Sequence, residues 1–248
     1  MAFSVDEVND ALTAEPLSAS EIPPILLDLL VKTGASPLSP VAALVRDALA
    51  SPPLAEAQIA DAVRGYQLLL DDVGDGLTLT AAGYLPPRIV EALFTQLGLD
   101  GRWIGKGNRE DMTLPVLELR ESATALGLLR KAKGKLTRTA AARRLSGNPS
   151  ALMAHISSRL PLGKRHEADA GSVALLFVAA GRDWYSSLSD AAEIMGSIGW
   201  GVTNGRLDLA LNESSRPTMS VVHSLAGRLT TPEHRAAVAC TLLQPREQ

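Results

Sequence analysis

Apolar residues recur three or four positions apart along most of this 248-residue chain. That spacing places them on one face of a helix, so each such stretch is expected to form an amphipathic helix. Several stretches carry proline in the first turn, where its missing N–H is not needed for helical hydrogen bonding. The pattern predicts helices over residues 22–32, 41–49, 56–70, 87–97, 114–126, 149–160, 188–198, 219–229 and 232–243.

Three short segments interrupt the helical pattern in the same way. Each begins with an apolar segment, continues through a tight turn with glycine at its second position, and ends with a segment in which apolar and polar residues alternate. The turns are Asp75-Gly76, Lys133-Gly134 and Asn204-Gly205. Glycine in a two-residue connection suits the left-handed turn that joins antiparallel strands. The sequence therefore predicts three β-hairpins.

The order of these elements predicts the domain organisation. After the first two hairpins, Thr80 and Thr139 precede a pair of alanines, and each threonine is expected to cap a helix that follows. Helices followed by a hairpin are typical of the winged-helix form of the helix-turn-helix. We predict a mainly α fold with short β-hairpins, arranged as tandem winged-helix-like modules. The alternative is one irregular helical domain with unrelated hairpins. The predicted order is an N-terminal segment (1–19), followed by modules at 20–98, 99–163 and 170–245.

Three stretches carry a family resemblance. They read LTLTAAGYLPPRIV (77–90), NREDMTLPVLELRESATALGLLRKAKGKL (108–136) and IGWGV (198–202). They resemble the helical region of actinobacterial proteins related to the Ri-plasmid open-reading-frame-three family. The similarity covers roughly residues 40–205, and the domain that gives the family its name is not expected in this sequence. Because the resemblance implies no reaction, it assigns no functional residue.

Composition narrows the class of protein. The chain is 46% hydrophobic but only 4% aromatic, so its core must be built mainly from Ala, Leu, Val and Ile. Cys240 is the only cysteine, which excludes an intramolecular disulfide and a thiolate metal cluster. The N-terminal residues are acidic, and the longest apolar run, 173–180, is too short to span a bilayer. We therefore expect a cytoplasmic protein with no membrane partner.

Charge is distributed unevenly along the chain. Residues 1–100 contain 14 acidic and four basic residues, a net charge of −10, whereas residues 101–165 contain four acidic and 14 basic residues, a net charge of +10. The remainder contributes −3, so the whole chain also carries −3. Such asymmetry fits either an anionic partner or two parts of one chain that attract each other.

The basic residues concentrate around the second predicted hairpin. They are Arg130, Lys131, Lys133, Lys135 and Arg138, with Arg143 and Arg144 on the next helix. These seven residues form the predicted nucleic-acid-binding site, because lysine and arginine neutralise backbone phosphates. The preceding helix offers Glu118, Arg120 and Glu121, a set unsuited to reading base edges. We predict a weak, sequence-tolerant nucleic-acid-binding regulator or adaptor. The alternative is a protein-interaction or self-association module without nucleic-acid binding or catalysis.

No catalytic or metal-binding motif is recognisable in the sequence. The histidines are His155, His166, His223 and His234. None lies at HxxxH or HExxH spacing, and the sequence contains no GxSxG. We therefore assign no catalytic residue, metal or cofactor. A catalytic group assembled from residues distant in the chain would leave no such signal.

Overall fold

A computed structural model describes residues 22–36, 39–101, 105–201, 206–227 and 230–244. The described chain is mainly helical with one small antiparallel sheet. Its helices are α1 (Pro24–Thr33), α2 (Pro40–Ala50), α3 (Glu56–Val73), α4 (Pro87–Gln96), α5 (Leu114–Ala125), α6 (Ala140–Leu145), α7 (Pro149–Ser158), α8 (His166–Ala179), α9 (Leu188–Ser197), α10 (Leu207–Ala226) and α11 (Pro232–Leu243), with a 3₁₀ turn at Glu110–Met112. Its strands are β1 (Leu77–Thr78), β2 (Leu129–Ala132) and β3 (Lys135–Arg138).

Local sequence explains where many of these helices begin. Proline occupies the first or second position of α1, α2, α4, α5, α7 and α11. The side chains of Ser39, Thr139, Asn148 and Thr231 each accept a hydrogen bond from a backbone N–H in the first turn of the helix that follows. Every predicted helix overlaps an observed one, which confirms the mainly helical fold. The predicted cap at Thr139 is also confirmed.

Tertiary contacts divide the chain into two compact units. Unit 1 contains Met1–Leu54, Gly163–Met219 and Thr230–Gln248. Unit 2 contains Ala55–Leu162 and Ser220–Leu229. The chain therefore leaves and re-enters each unit, so these boundaries differ from the consecutive modules expected at 20–98, 99–163 and 170–245. The expected N-terminal segment, 1–19, lies outside the described residues.

Unit 1 is built around α8. Every residue from Ala170 to Ala179 is buried, and α8 contacts α1, α2, α9 and α11. A helix covered on all sides is apolar on all sides. For that reason this segment lacks one-sided periodicity, and the sequence pattern does not predict it as a helix.

In unit 2, three helices pack on α3 and the small sheet lies beside them. Helices α4, α5 and α7 contact α3, whose buried side chains include Ile59, Tyr66 and Leu69. The strand order is β1-β3-β2, with both pairings antiparallel. At the centre of the sheet, the buried Leu136 pairs with Leu77 on one side and Lys131 on the other.

The three predicted hairpins have different outcomes. The Lys133-Gly134 hairpin is confirmed, because β2 and β3 pair across it and both turn residues have positive φ, 48° and 72°. The Asp75-Gly76 hairpin is wrong. Helix α3 continues to Val73 in place of a first strand, and β1 pairs with the distant β3. The helical spacing of α3's apolar residues outweighs the turn signal there.

Two further predictions are corrected by the structure. The Asn204-Gly205 turn lies outside the described residues, but the strand predicted to follow it is instead the start of α10 at Leu207. The helix cap predicted at Thr80 is also wrong. The Thr80 hydroxyl accepts from the Tyr84 N–H within a turn, and α4 begins only at Pro87, where two successive prolines fix the backbone.

Candidate functional site

The structure gathers the seven predicted basic residues on the β2–β3 hairpin and the short helix α6; we call them the basic hairpin cluster. All seven side chains reach solvent, and Arg138 is the least exposed, at 20% of its side chain. No acidic residue occurs between positions 126 and 148, so no negatively charged residue separates the members of the cluster along the chain. Its members are Arg130, Lys131, Lys133, Lys135, Arg138, Arg143 and Arg144.

Strand register distributes these side chains between the two faces of the hairpin. Cross-strand partners share a face, and Arg130 pairs with Thr137 while Ala132 pairs with Lys135. Arg130 and Lys135 therefore share the outer face. Lys131 pairs with the buried Leu136 on the other face, where its Nζ donates to the Gly83 carbonyl oxygen at 3.3 Å.

Arg138 is held in place by the end of α3. Its Nε donates to the Gly74 carbonyl oxygen at 2.8 Å, and its guanidinium lies 3.6 Å from the Asp75 carboxylate. Gly74 and Asp75 directly follow the last residue of α3. The Arg138 side chain thus joins the hairpin to the first helix of unit 2, and its head group has a defined position.

A shallow depression lies between the hairpin and α6. It has a volume of about 350 Å³ and is lined by Arg130, Thr137, Arg138, Thr139, Ala140 and Arg143. We call it the arginine depression. Of the predicted residues, Arg130, Arg138 and Arg143 belong to the lining, whereas Lys131, Lys133, Lys135 and Arg144 do not.

The threonines of the arginine depression hold its walls together. The Thr139 hydroxyl donates to the Gly127 carbonyl oxygen at 2.8 Å and accepts from the Ala142 N–H, so it fixes α6 to the chain before β2. The Thr137 hydroxyl donates to the Arg130 carbonyl oxygen across the strands, at 3.3 Å. The sequence pattern predicts the helix cap at Thr139 but places neither threonine in the site. The two threonines flank Arg138, a residue of the predicted site, and this Thr-Arg-Thr pattern is the sequence signal that could have identified them.

Helix α5, which precedes the hairpin, buries most of its charged side chains. Arg120 forms an ion pair with Glu110 inside unit 2, and the second carboxylate oxygen of Glu110 accepts from the Leu85 N–H at 2.6 Å. Glu118 has a side chain only 6% exposed, and its Oε2 lies 3.8 Å from His223 Nδ1. Glu121 remains exposed. The buried charges of Glu118 and Arg120 belong to the interior of unit 2, so they are not available to a ligand.

The core beneath α5 also contains a buried phenol. The Tyr66 hydroxyl lies 2.8 Å from the Ser122 hydroxyl. Burial raises the pKa of Tyr66 well above its usual value, and this effect exceeds the opposing effect of the hydrogen bonds. Tyr66 therefore stays protonated and acts as a structural hydrogen-bonding group between α3 and α5.

The histidines do not assemble into a site in the described part of the chain. His155 Nε2 lies 3.0 Å from the Leu126 carbonyl oxygen, and the His166 ring packs against Trp200 at a centroid distance of 5.6 Å. Among the described residues, no three His, Cys, Asp or Glu side chains cluster as metal ligands would.

In the part of the chain that the structure describes, no helix combines the length and apolar character needed to cross a bilayer.

Comparisons with models of known protein families, with curated proteins and with solved structures return no match.

Proposed function

We propose that this protein binds nucleic acid through phosphate contacts made by the basic hairpin cluster and acts as a weakly binding, sequence-tolerant regulator or adaptor. The observation that supports it is the concentration of seven basic side chains on one hairpin and its following helix, with no acidic residue between positions 126 and 148. Lysine and arginine that neutralise phosphates release condensed counterions, and this release drives binding regardless of base sequence.

The chain order of unit 2 supports a winged-helix-like interpretation. Helix, strand, two helices and a hairpin follow one another from Glu56 to Arg138, with strand order β1-β3-β2. This order is that of a single winged helix in which β2 and β3 form the wing. We therefore propose one winged-helix-like unit, in place of separate modules at 20–98 and 99–163. A wing rich in lysine and arginine is suited to lie along a phosphate backbone.

The proposed absence of base readout follows from α5. In a helix-turn-helix protein, the helix before the wing enters the major groove and presents polar side chains to the bases. Here Glu118 and Arg120 are buried with partners in unit 2, and the exposed Glu121 would repel phosphate. Binding should thus depend strongly on salt concentration and weakly on sequence.

Titration of a labelled duplex at two salt concentrations tests the proposal. A triple variant, Lys131→Ala, Lys133→Ala and Lys135→Ala, should weaken binding to every duplex and reduce the slope of log affinity against log salt by about three units. The matched control removes three exposed positive charges from unit 1 and should bind as the wild type does. It carries Arg182→Ala, Arg206→Ala and Arg216→Ala.

Two results would contradict the proposal. One is no binding by the wild type at low salt, and the other is equal binding by the wild type and the lysine variant. The first result makes the protein-interaction or self-association function the better proposal, whereas the second shows that the hairpin lysines do not make the phosphate contacts. Sedimentation of the wild type across a concentration series would then test self-association directly.

A further inference from the structure

We propose that the arginine depression is a binding site for a phosphate monoester, and that within the proposed function it receives the terminal phosphate of a nucleic-acid strand. The nucleic-acid part of this inference rests on the proposed function, whereas the monoester site itself does not. The side chains that would contact the phosphate are those of Arg130 and Arg143, which line the depression.

The charge of the depression favours a dianion. Arg130 and Arg143 bring two positive charges to its lining, whereas the head group of Arg138 lies against the Gly74 carbonyl oxygen and the Asp75 carboxylate. No acidic partner is found for Arg130 or Arg143 among the residues that the structure describes. The remaining charge is close to +2. A phosphodiester carries one negative charge, whereas a phosphate monoester carries nearly two at neutral pH. A terminal phosphate therefore matches the site better than an internal one.

The side chains of the depression are suited to phosphate and partly held in position. A guanidinium presents a planar fork of N–H donors that can bind two phosphate oxygens at once. The Thr139 hydroxyl, bonded to Gly127 and Ala142, fixes the start of α6, which carries Arg143. Groups that are already ordered lose less conformational freedom when a ligand binds. The threonine hydroxyls donate to backbone carbonyl oxygens, which leaves the guanidiniums as side-chain donors to the ligand.

The test compares two duplexes of identical sequence that differ only in a 5′-phosphate or a 5′-hydroxyl at their ends. Wild type should bind the phosphorylated duplex about tenfold more tightly, the effect of one added charge-assisted bidentate contact. Arg143→Gln should reduce that ratio to about one. Lys133→Gln removes the same charge from outside the depression, so it should weaken both complexes equally and retain the ratio.

A second measurement separates the sources of the phosphate group. Inorganic phosphate, compared with chloride at equal ionic strength, should raise the melting temperature of the wild type and leave that of Arg143→Gln unchanged. Arg130 is exposed on β2, and Arg130→Gln should behave as Arg143→Gln does. Agreement between the two variants would show that the effect does not come from a local folding defect in one of them. Phosphate should also abolish the preference for the 5′-phosphorylated duplex.

The outcomes distinguish failure of this inference from failure of the proposed function. Equal binding of both duplexes by the wild type, with no stabilisation by phosphate, overturns the monoester site and leaves the proposed function intact. Stabilisation by phosphate that requires Arg143, without binding of either duplex, supports the monoester site as a site for free phosphate compounds. That result would overturn the nucleic-acid function.

Discussion

Arg138 on β3 donates its Nε hydrogen to the carbonyl oxygen of Gly74, the residue that ends α3. The two residues are 64 positions apart in the chain, and the 2.8 Å bond joins the β2–β3 hairpin to the first helix of unit 2. The same residue borders the arginine depression. Arg138 thus fixes the position of the β2–β3 hairpin, which carries Arg130 of that depression.

Arg138→Ala should lower the free energy of unfolding by about 1.5 kcal/mol, because the partly buried Gly74 carbonyl oxygen loses a hydrogen bond from a charged donor. The measurement is urea denaturation followed by circular dichroism. Arg144→Ala is the matched control, since Arg144 is exposed on α6 and should change stability by less than about 0.5 kcal/mol. Equal stability of the two variants would show that the contact to Gly74 contributes nothing.

The turn of the β2–β3 hairpin gives a second prediction. Gly134 has φ 72°, and a Cβ placed on it would contact nothing within 4 Å. Gly134→Val should therefore destabilise by about 1 to 3 kcal/mol through backbone strain alone, because a β-branched residue resists the left-handed conformation. Ala132→Val is the control, as valine is favoured at an exposed position in a strand. The measurement compares the unfolding curves of the two variants with that of the wild type. An unaltered curve for Gly134→Val would contradict the turn assignment.

Local signals account for what the sequence predicts correctly about the fold. The β2–β3 hairpin depends on a turn between adjacent segments, so the Lys133-Gly134 pair is sufficient to locate it. The pairing of Leu77 with Leu136 joins strands almost sixty residues apart, and no local pattern encodes that register. Helix α8 was missed for a related reason, since helices distant in the chain cover all its faces.

As with the fold, the sequence predicts the features of the candidate site that depend on neighbouring residues and does not predict those that depend on contacts between distant ones. The charges of the basic hairpin cluster are visible in the sequence, and so is the cap at Thr139. Which charges line one depression depends on strand register and on the contact between Arg138 and Gly74. The burial of Glu118 and Arg120 depends on partners, His223 and Glu110, that lie on other elements. Periodicity within α5 cannot reveal such partners.

Cys240 provides a prediction about pH. Its thiol is buried in unit 1, with its Sγ 3.0 Å from the Ser51 carbonyl oxygen, and burial raises the pKa of the thiol above its ordinary value. Alkylation requires the thiolate, which forms near pH 8.5 in an unfolded chain. Between pH 7 and 9, iodoacetamide should therefore react at least about tenfold more slowly with the native protein than with the urea-unfolded protein.

An exposed thiol serves as the control for that experiment. Ser189→Cys, placed in a Cys240→Ala background, puts a cysteine on an exposed position of α9. Its labelling rate should rise with pH in the native protein much as it does in the unfolded chain. Equal native rates for Cys240 and the introduced cysteine would show that the Cys240 thiol is not protected by burial.

The ion pair between Glu110 and Arg120 gives the last prediction. The Glu110 side chain is fully buried, and that of Arg120 is 11% exposed. Glu110→Gln should lower the free energy of unfolding by about 3 kcal/mol, because it leaves a buried guanidinium without its counterion. Arg120→Met should cost a similar amount. The double variant should lose less than the sum of the two, since it removes both charges and keeps side chains of similar size. Denaturation of all four proteins in urea measures this coupling. Strict additivity of the two losses would mean that the pair does not interact, and unit 2 would then owe its stability at this position to packing alone.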